Sequence, residues 1–189
     1  MNLIYDVYPE TVILDGAERE IVTDFKDWLR FMDMLRDENL RPEEKVRIMM
    51  SFYLDDIPKT QWVGAYAPLL RFFRMDGMED TPEPERPVGE TVQARPLYDF
   101  VFDAKYIISG FWQDYGIDLT ETDMHWWKFR ILLDGLSADT EFKQRVMYRN
   151  TDATDIKDVK ERQRIQRIQR AIAIPHPVPT DGEIGGMFW

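Results

Sequence analysis

The sequence predicts a mainly α-helical protein: a multi-helix globular domain with a small N-terminal β-hairpin and an amphipathic C-terminal helix. Three observations carry that expectation. Apolar residues recur at three- and four-residue spacing over most of the chain. An Asp-Gly pair with apolar flanks stands near the N-terminus. Residues 97–136 gather three of the six tryptophans into two strongly apolar helical segments.

The hairpin comes first. Asp15-Gly16 takes up positive φ angles readily, and residues 11–14 and 17–22 on either side read as paired strands. Thr23 is the expected N-cap of a first helix running to about residue 37, with Phe25, Trp28, Leu29, Met32 and Leu35 on one face. Pro42 suits the first turn of a second helix, where Glu43 and Glu44 sit favourably against the dipole. Val46, Met49, Met50 and Tyr53 form its apolar side. A third helical stretch starts near Pro58, and Trp62, Leu69, Leu70, Phe72 and Phe73 belong to it or to a following short helix. Pro68 within it predicts a break or kink.

Residues 76–96 hold four prolines, six acids and no aromatic residue. So little apolar surface cannot offset the entropy of ordering, and the stretch reads as a linker or exposed loop. From Leu97 the chain returns to helix. Val101, Ala104, Ile108, Phe111 and Tyr115 make one stripe, widened by Phe100, Ile107 and Trp112, which implies burial on several sides. Gly116 ends that helix as a left-handed cap. Thr120 and Asp123, or Thr122 alone, would cap the next, in which Trp126, Phe129, Leu133 and Leu136 share a face and Gly135 supplies the stop. Ser137 would cap another helix to about residue 149. The expected core is Trp28, Tyr98, Ile108, Phe111, Trp112, Trp126, Trp127, Phe129 and Leu133. The resulting organisation is 1–75 (hairpin and first helices), 76–96 (acidic linker), 97–150 (aromatic core), 151–174 (basic amphipathic helix) and 175–189 (Pro- and Gly-rich flexible tail), with 1–174 as one packed unit.

Charge and composition narrow the function. Formal net charge is −11, which opposes binding to phosphate backbones and anionic membranes. Residues 156–172 nevertheless carry six basic and two acidic side chains. Cysteine is absent, so disulfides and thiol chemistry are excluded and a reducing compartment fits. The N-terminus lacks a basic segment followed by a long apolar run, and no window of about 18 apolar residues occurs. A soluble, cytoplasmic protein is expected, with neither a membrane nor a nucleic acid as partner.

No catalytic, metal-binding or cofactor-binding set emerges, and no cofactor is expected. His125 stands two residues from Asp123, on a different side of a helix and without a second histidine at ligand spacing, so it reads as a packing or hydrogen-bonding residue. His176 lies between tail prolines. Asp114, Asp118 and Asp123 surround a turn without the spacing of a calcium loop, and capping explains them. Asp99 and Asp103 read as a solvated helix edge. Ser51, Ser109 and Ser137 lie in no nucleophile motif. Trp126 and Trp127 are about 100° apart around a helix, so they cannot share one pocket. Along 156–172, Ile156, Val159, Ile165, Ile168 and Ile172 form a narrow stripe suited to helix–helix contact, with no aromatic residue to stack on bases. That stripe, with Phe188 and Trp189 in the tail, is the candidate partner-binding surface.

One resemblance adds to this reading. Asp103-Ala104 followed by Ile107, the turn from Gln113 to Leu119, the HWW helix His125–Phe129, the exit Leu133–Leu136 and the basic last helix resemble a small family of phage proteins. The genes of that family lie beside the tape-measure gene in long-tailed phages and prophages of Gram-positive hosts. Thr23 to Trp28 after the hairpin fits the same pattern. The resemblance implies a tail-assembly chaperone that holds the helical tape-measure protein soluble while tail-tube subunits gather, and that is absent from the finished virion. Its partners would be the tape-measure and tail-tube proteins, with self-association left open. The alternative is a structural tail component, a connector or completion protein retained in the virion. A nucleic-acid-binding module ranks third, on the basic helix alone, and an enzyme last.

Overall fold

Side-chain chemistry at a few positions sets several element boundaries in a mainly helical architecture. The computed structural model describes residues 4–76 and 96–175. Among them run β1 (Thr11–Leu14), β2 (Ala17–Glu20) and seven α-helices: α1 (Phe25–Arg36), α2 (Pro42–Met50), α3 (Trp62–Arg74), α4 (Ala104–Tyr115), α5 (Trp126–Asp134), α6 (Glu141–Asn150) and α7 (Val159–Ala171). The expected acidic linker, save its end residues 76 and 96, and the tail after Pro175 lie outside the described residues. The chain divides into two compact units, one holding residues 4–76 with 123–130, the other 96–122 with 131–175. The stretch 97–150, expected as one aromatic core, is therefore split: Trp126, Trp127 and Phe129 pack with the N-terminal elements.

In the first unit β1 and β2 pair antiparallel in the register Thr11↔Glu20 to Leu14↔Ala17. Asp15 (φ 50°) and Gly16 (φ 79°) make the turn, both left-handed as a two-residue hairpin requires. Val12 and Leu14 are buried, Ile13 exposed, the alternation of a one-sided sheet. Asp24, not Thr23, caps α1: its Oδ1 accepts the Lys26 N–H at 2.9 Å. Thr23 is held elsewhere, its carbonyl accepting the Trp126 N–H at 2.7 Å. Pro42 opens α2 as expected. The buried Lys45 sends its Nζ to the Leu35 carbonyl at 2.7 Å, a cation at the negative end of α1. Pro68 neither breaks nor ends α3. Ala65, Leu69, Leu70, Phe72 and Phe73 around it are all buried, and that burial exceeds the roughly 3 kcal/mol an internal proline costs.

The last turn of α3 is closed by tryptophans. Trp126 Nε1–H donates to the Phe73 carbonyl at 2.8 Å and Trp127 Nε1–H to the Phe72 carbonyl at 2.9 Å. Consecutive indoles thus bond consecutive helix-end carbonyls, that of Phe73 and that of Phe72, which also accepts the Met75 N–H at 3.0 Å. Trp28 and Phe31, fully buried, complete an aromatic cluster with Phe52, Phe72 and Phe73.

In the second unit α4 begins at Ala104, later than the Leu97 start expected, because the Asp99 carboxylate accepts the N–H groups of Val101 (2.8 Å) and Phe102 (2.7 Å) and holds a turn there. Gly116 (φ 65°) ends α4 as expected, with Ile117 N–H on the Phe111 carbonyl. Ser137 is not a cap: its N–H and Oγ bind Asp114 at 2.6 and 3.1 Å, and Thr140 caps α6 instead. Asp158 caps α7 through the N–H groups of Lys160 and Glu161.

Candidate partner-binding surface

The C-terminal isoleucine stripe is not a free surface. Ile165 is 6% exposed and Ile172 is likewise buried, so both belong to the core of the second unit. Gln169 reinforces the seam, its Nε2 donating to the carbonyls of Tyr148 and Thr151 at 2.8 and 2.7 Å. Ile156 and Ile168 are half-buried. Val159, 54% exposed, is the one residue of the stripe that faces outward. Phe188, Trp189 and His176 lie outside the described residues.

The expected core residues Trp28, Phe111, Trp126, Trp127, Phe129 and Leu133 are buried, and Tyr98 and Ile108 are half-buried. Trp112 overturns its assignment: it is 62% exposed. Ile107, Gly110 and Phe111 take the inward face of α4, with Gly110 so close to Leu136 that an added Cβ would stand 3.1 Å from its Cδ1. Trp112, the neighbour of Phe111, is turned about 100° away.

The outward face of α4 is consequently a surface in its own right. Lys105, Ser109, Trp112 and Gly116 recur at helical spacing and are all exposed. Val101, 67% exposed, and the partly exposed Phe102 precede them. Lys105 is the single charge among these six, in a chain with 31% charged residues.

Beneath this face lies an ion pair that sequence reasoning missed. Asp99 and Asp103, expected in solvent, are both buried, Asp103 completely. The Arg149 guanidinium meets the Asp103 carboxylate with two bonds, Nη1 to Oδ2 at 2.6 Å and Nη2 to Oδ1 at 2.9 Å. Nothing local in the sequence joins positions 46 residues apart.

The remaining acids and the histidine have structural partners. Asp118 accepts the N–H and hydroxyl of Thr120, which hold its carboxyl below the usual range. Asp123 pairs with Lys26 at 3.5 Å. His125, rather than Thr120, Thr122 or Asp123, caps α5: its Nδ1 accepts the Trp127 N–H at 3.0 Å. Nε2 must then carry the proton, and it donates to the Pro9 carbonyl at 3.0 Å. Burial lowers the imidazole pKa, against the opposing pull of that carbonyl and of Glu10. Among the described residues no three His, Asp or Glu side chains converge as metal ligands do, and no helix is long and apolar enough to cross a membrane.

Fold and surface together define a mainly helical protein of two compact units that displays a tryptophan on a charge-poor helix face. The chain belongs to the Bacteriophage Gp15 protein family, whose profile matches residues 4–174. Neither a curated protein nor a solved structure matches it.

Proposed function

We propose that this protein is a non-enzymatic phage tail assembly factor, a chaperone that binds the tape-measure protein during tail morphogenesis and leaves before the virion is complete. Family membership supports a phage structural or assembly role. The observation that carries the finer reading is the outward face of α4. A 62%-exposed tryptophan on a helix that exposed Val101 and Phe102 precede is what a protein-binding face needs, because buried aromatic anchors dominate association energies. A helical client would lay its own apolar stripe along this face. The high net charge keeps such a surface soluble in the free protein.

The test is co-expression with the tape-measure gene. The tape-measure protein should become soluble and co-elute with the wild-type chain, and Trp112→Asp with Val101→Asp should abolish co-elution while leaving the circular dichroism unchanged. Undiminished co-elution of that variant removes the α4 face from the interface. A stoichiometric band of this protein in purified virions, detected by mass spectrometry, would replace the chaperone reading with that of a structural tail component.

A further inference from the structure

In the first unit a cleft of about 280 Å3 is lined by Thr11, Val12, Ile13, Phe72, Asp76 and Trp127, among others. Adjacent strand residues point to opposite faces, so a cleft that meets Thr11, Val12 and Ile13 together meets β1 along its edge. The register says what that edge offers. Leu14 and Ala17 flank a two-residue turn and form the hydrogen-bonded pair that closes it. Val12 and Arg19 are then the next bonded pair, and the Ile21 N–H reaching the Glu10 carbonyl at 3.0 Å keeps the same phase. Thr11 and Ile13 fall between these pairs, with their N–H and C=O groups directed away from β2. Among the described residues nothing hydrogen-bonds to them.

An open strand edge beside a helix, over an apolar floor of Phe72 and Trp127, is the geometry in which an extended peptide adds as a further strand. Charge selects the occupant. Glu10, Asp15, Glu18 and Glu20 in and beside the hairpin, and Asp76 at the cleft, are exposed. Among the described residues that line the cleft the one base is Arg71, and Arg19 on β2 is tied to Asp55 at 3.5 Å. A second copy of the chain is a poor occupant, because pairing β1 with β1 would bring two copies of the same acidic rim together.

We infer that the β1 edge and the adjoining face of α3 form a docking groove for an extended segment of another protein in which lysine or arginine alternates with β-branched residues. The segment would add antiparallel or parallel to β1, bonding to Thr11 and Ile13, with its basic side chains against the acidic rim. This site is independent of the α4 face and of the tape-measure assignment.

Two fluorescein-labelled peptides test it on the full chain: eight residues of alternating Lys and Val, and the same peptide with Glu for Lys. The Lys peptide should bind saturably by anisotropy and shift the amide resonances of Thr11 and Ile13. The Glu peptide should bind at least about tenfold more weakly. Ile13→Pro removes an outward N–H without touching the hairpin ladder and should abolish binding. Glu10→Lys with Asp76→Lys, both at exposed positions, should invert the preference and serves if the proline variant misfolds. Equal binding of both peptides, shifts away from β1, or no saturation up to about 1 mM would overturn the proposal. A wild-type dimer in sedimentation that Ile13→Pro converts to monomer would overturn it in favour of self-pairing.

Discussion

Arg149 and Asp103 form a two-point ion pair in the interior of the second unit, 2.6 and 2.9 Å long, with side chains 7% and 0% exposed. The same guanidinium donates to the carbonyls of Leu97 at 2.9 Å and Ile172 at 2.9 Å. Asp103 also accepts the Asp99 N–H at 3.0 Å. One arginine on α6 therefore ties the entry to α4 to the end of α7. Removing either partner strands a buried charge, which costs about 3–5 kcal/mol. Asp103→Leu and Arg149→Met should each lose stability on that scale in urea unfolding. The double variant should lose less than the sum of the two, because no unpaired charge remains. Additive losses would mean that the pair is not coupled.

His125 makes stability depend on pH in a definite direction. Burial is the largest influence on its pKa and pushes it below the ordinary 6.5. A histidine whose folded pKa is depressed binds fewer protons folded than unfolded, so stability rises with pH between the two values. Its contribution is complete above about pH 7.5 and falls away as pH drops through 6.5 towards the folded pKa. Protonation also ends the Nδ1 acceptance of the Trp127 N–H. In His125→Asn the side-chain oxygen can still cap α5. Its melting temperature should therefore gain on wild type between pH 7.5 and 5.5. A constant difference between the two would contradict the assignment.

Local chemistry made much of the fold legible and left the rest dark. Asp15-Gly16, Pro42 and Gly116 act through φ angles and missing donors that are properties of the residues themselves, and all three stand where expected. Caps were harder. Thr23, Ser137 and Thr122 are competent residues that tertiary partners displace: Asp24, the cap in place of Thr23, also binds the Met124 N–H at 3.1 Å, Ser137 is itself held by Asp114, and His125, the cap of α5, reaches Pro9. The phase of α4 was ambiguous because apolar residues occur on both of its sides, so Phe111 and Trp112 could not be told apart. The α7 stripe illustrates a deeper limit. Isoleucines seven apart look the same in sequence whether the chain's own α6 or a partner covers them.

Six tryptophans in one chain should separate sharply by position. Trp126 is fully buried, stacked on Phe73 at 5.2 Å and bonded to its carbonyl. Trp126→Ala should cost about 3–5 kcal/mol in denaturant unfolding. Trp112→Ala, on the outer face of α4, should stay within about 0.5 kcal/mol of wild type. Acrylamide should quench the fluorescence lost in Trp112→Phe much more readily than that lost in Trp126→Phe. Comparable quenching of the two would place Trp112 inside.

Tyr53 offers a hydrogen bond whose loss can be read alone. Its hydroxyl donates to the Ala65 carbonyl at 2.6 Å in a buried setting, and burial pushes the phenol up to about 12. Tyr53→Phe keeps the ring and leaves a buried carbonyl without this donor, at a cost of about 1–3 kcal/mol. Absorbance near 295 nm should show Tyr53 titrating late in the wild type, beside Tyr115, which burial also raises, and Tyr53→Phe should lose one late component.

The two exposures along α7 yield the most discriminating pair of variants. Ile165 and Val159 share the stripe and the apolar character that made both look suited to a partner. Ile165 is covered by its own unit and Val159 is open to solvent. Ile165→Asp forces a carboxylate into a buried apolar position, so it should unfold the second unit or cost several kcal/mol. Val159→Asp, at the first position of α7 where an acid suits the helix dipole, should be neutral or mildly stabilising. Loss of tape-measure co-elution in Ile165→Asp would then report unfolding and not a lost contact. The same loss in a folded Val159→Asp would extend the partner surface from α4 to the start of α7.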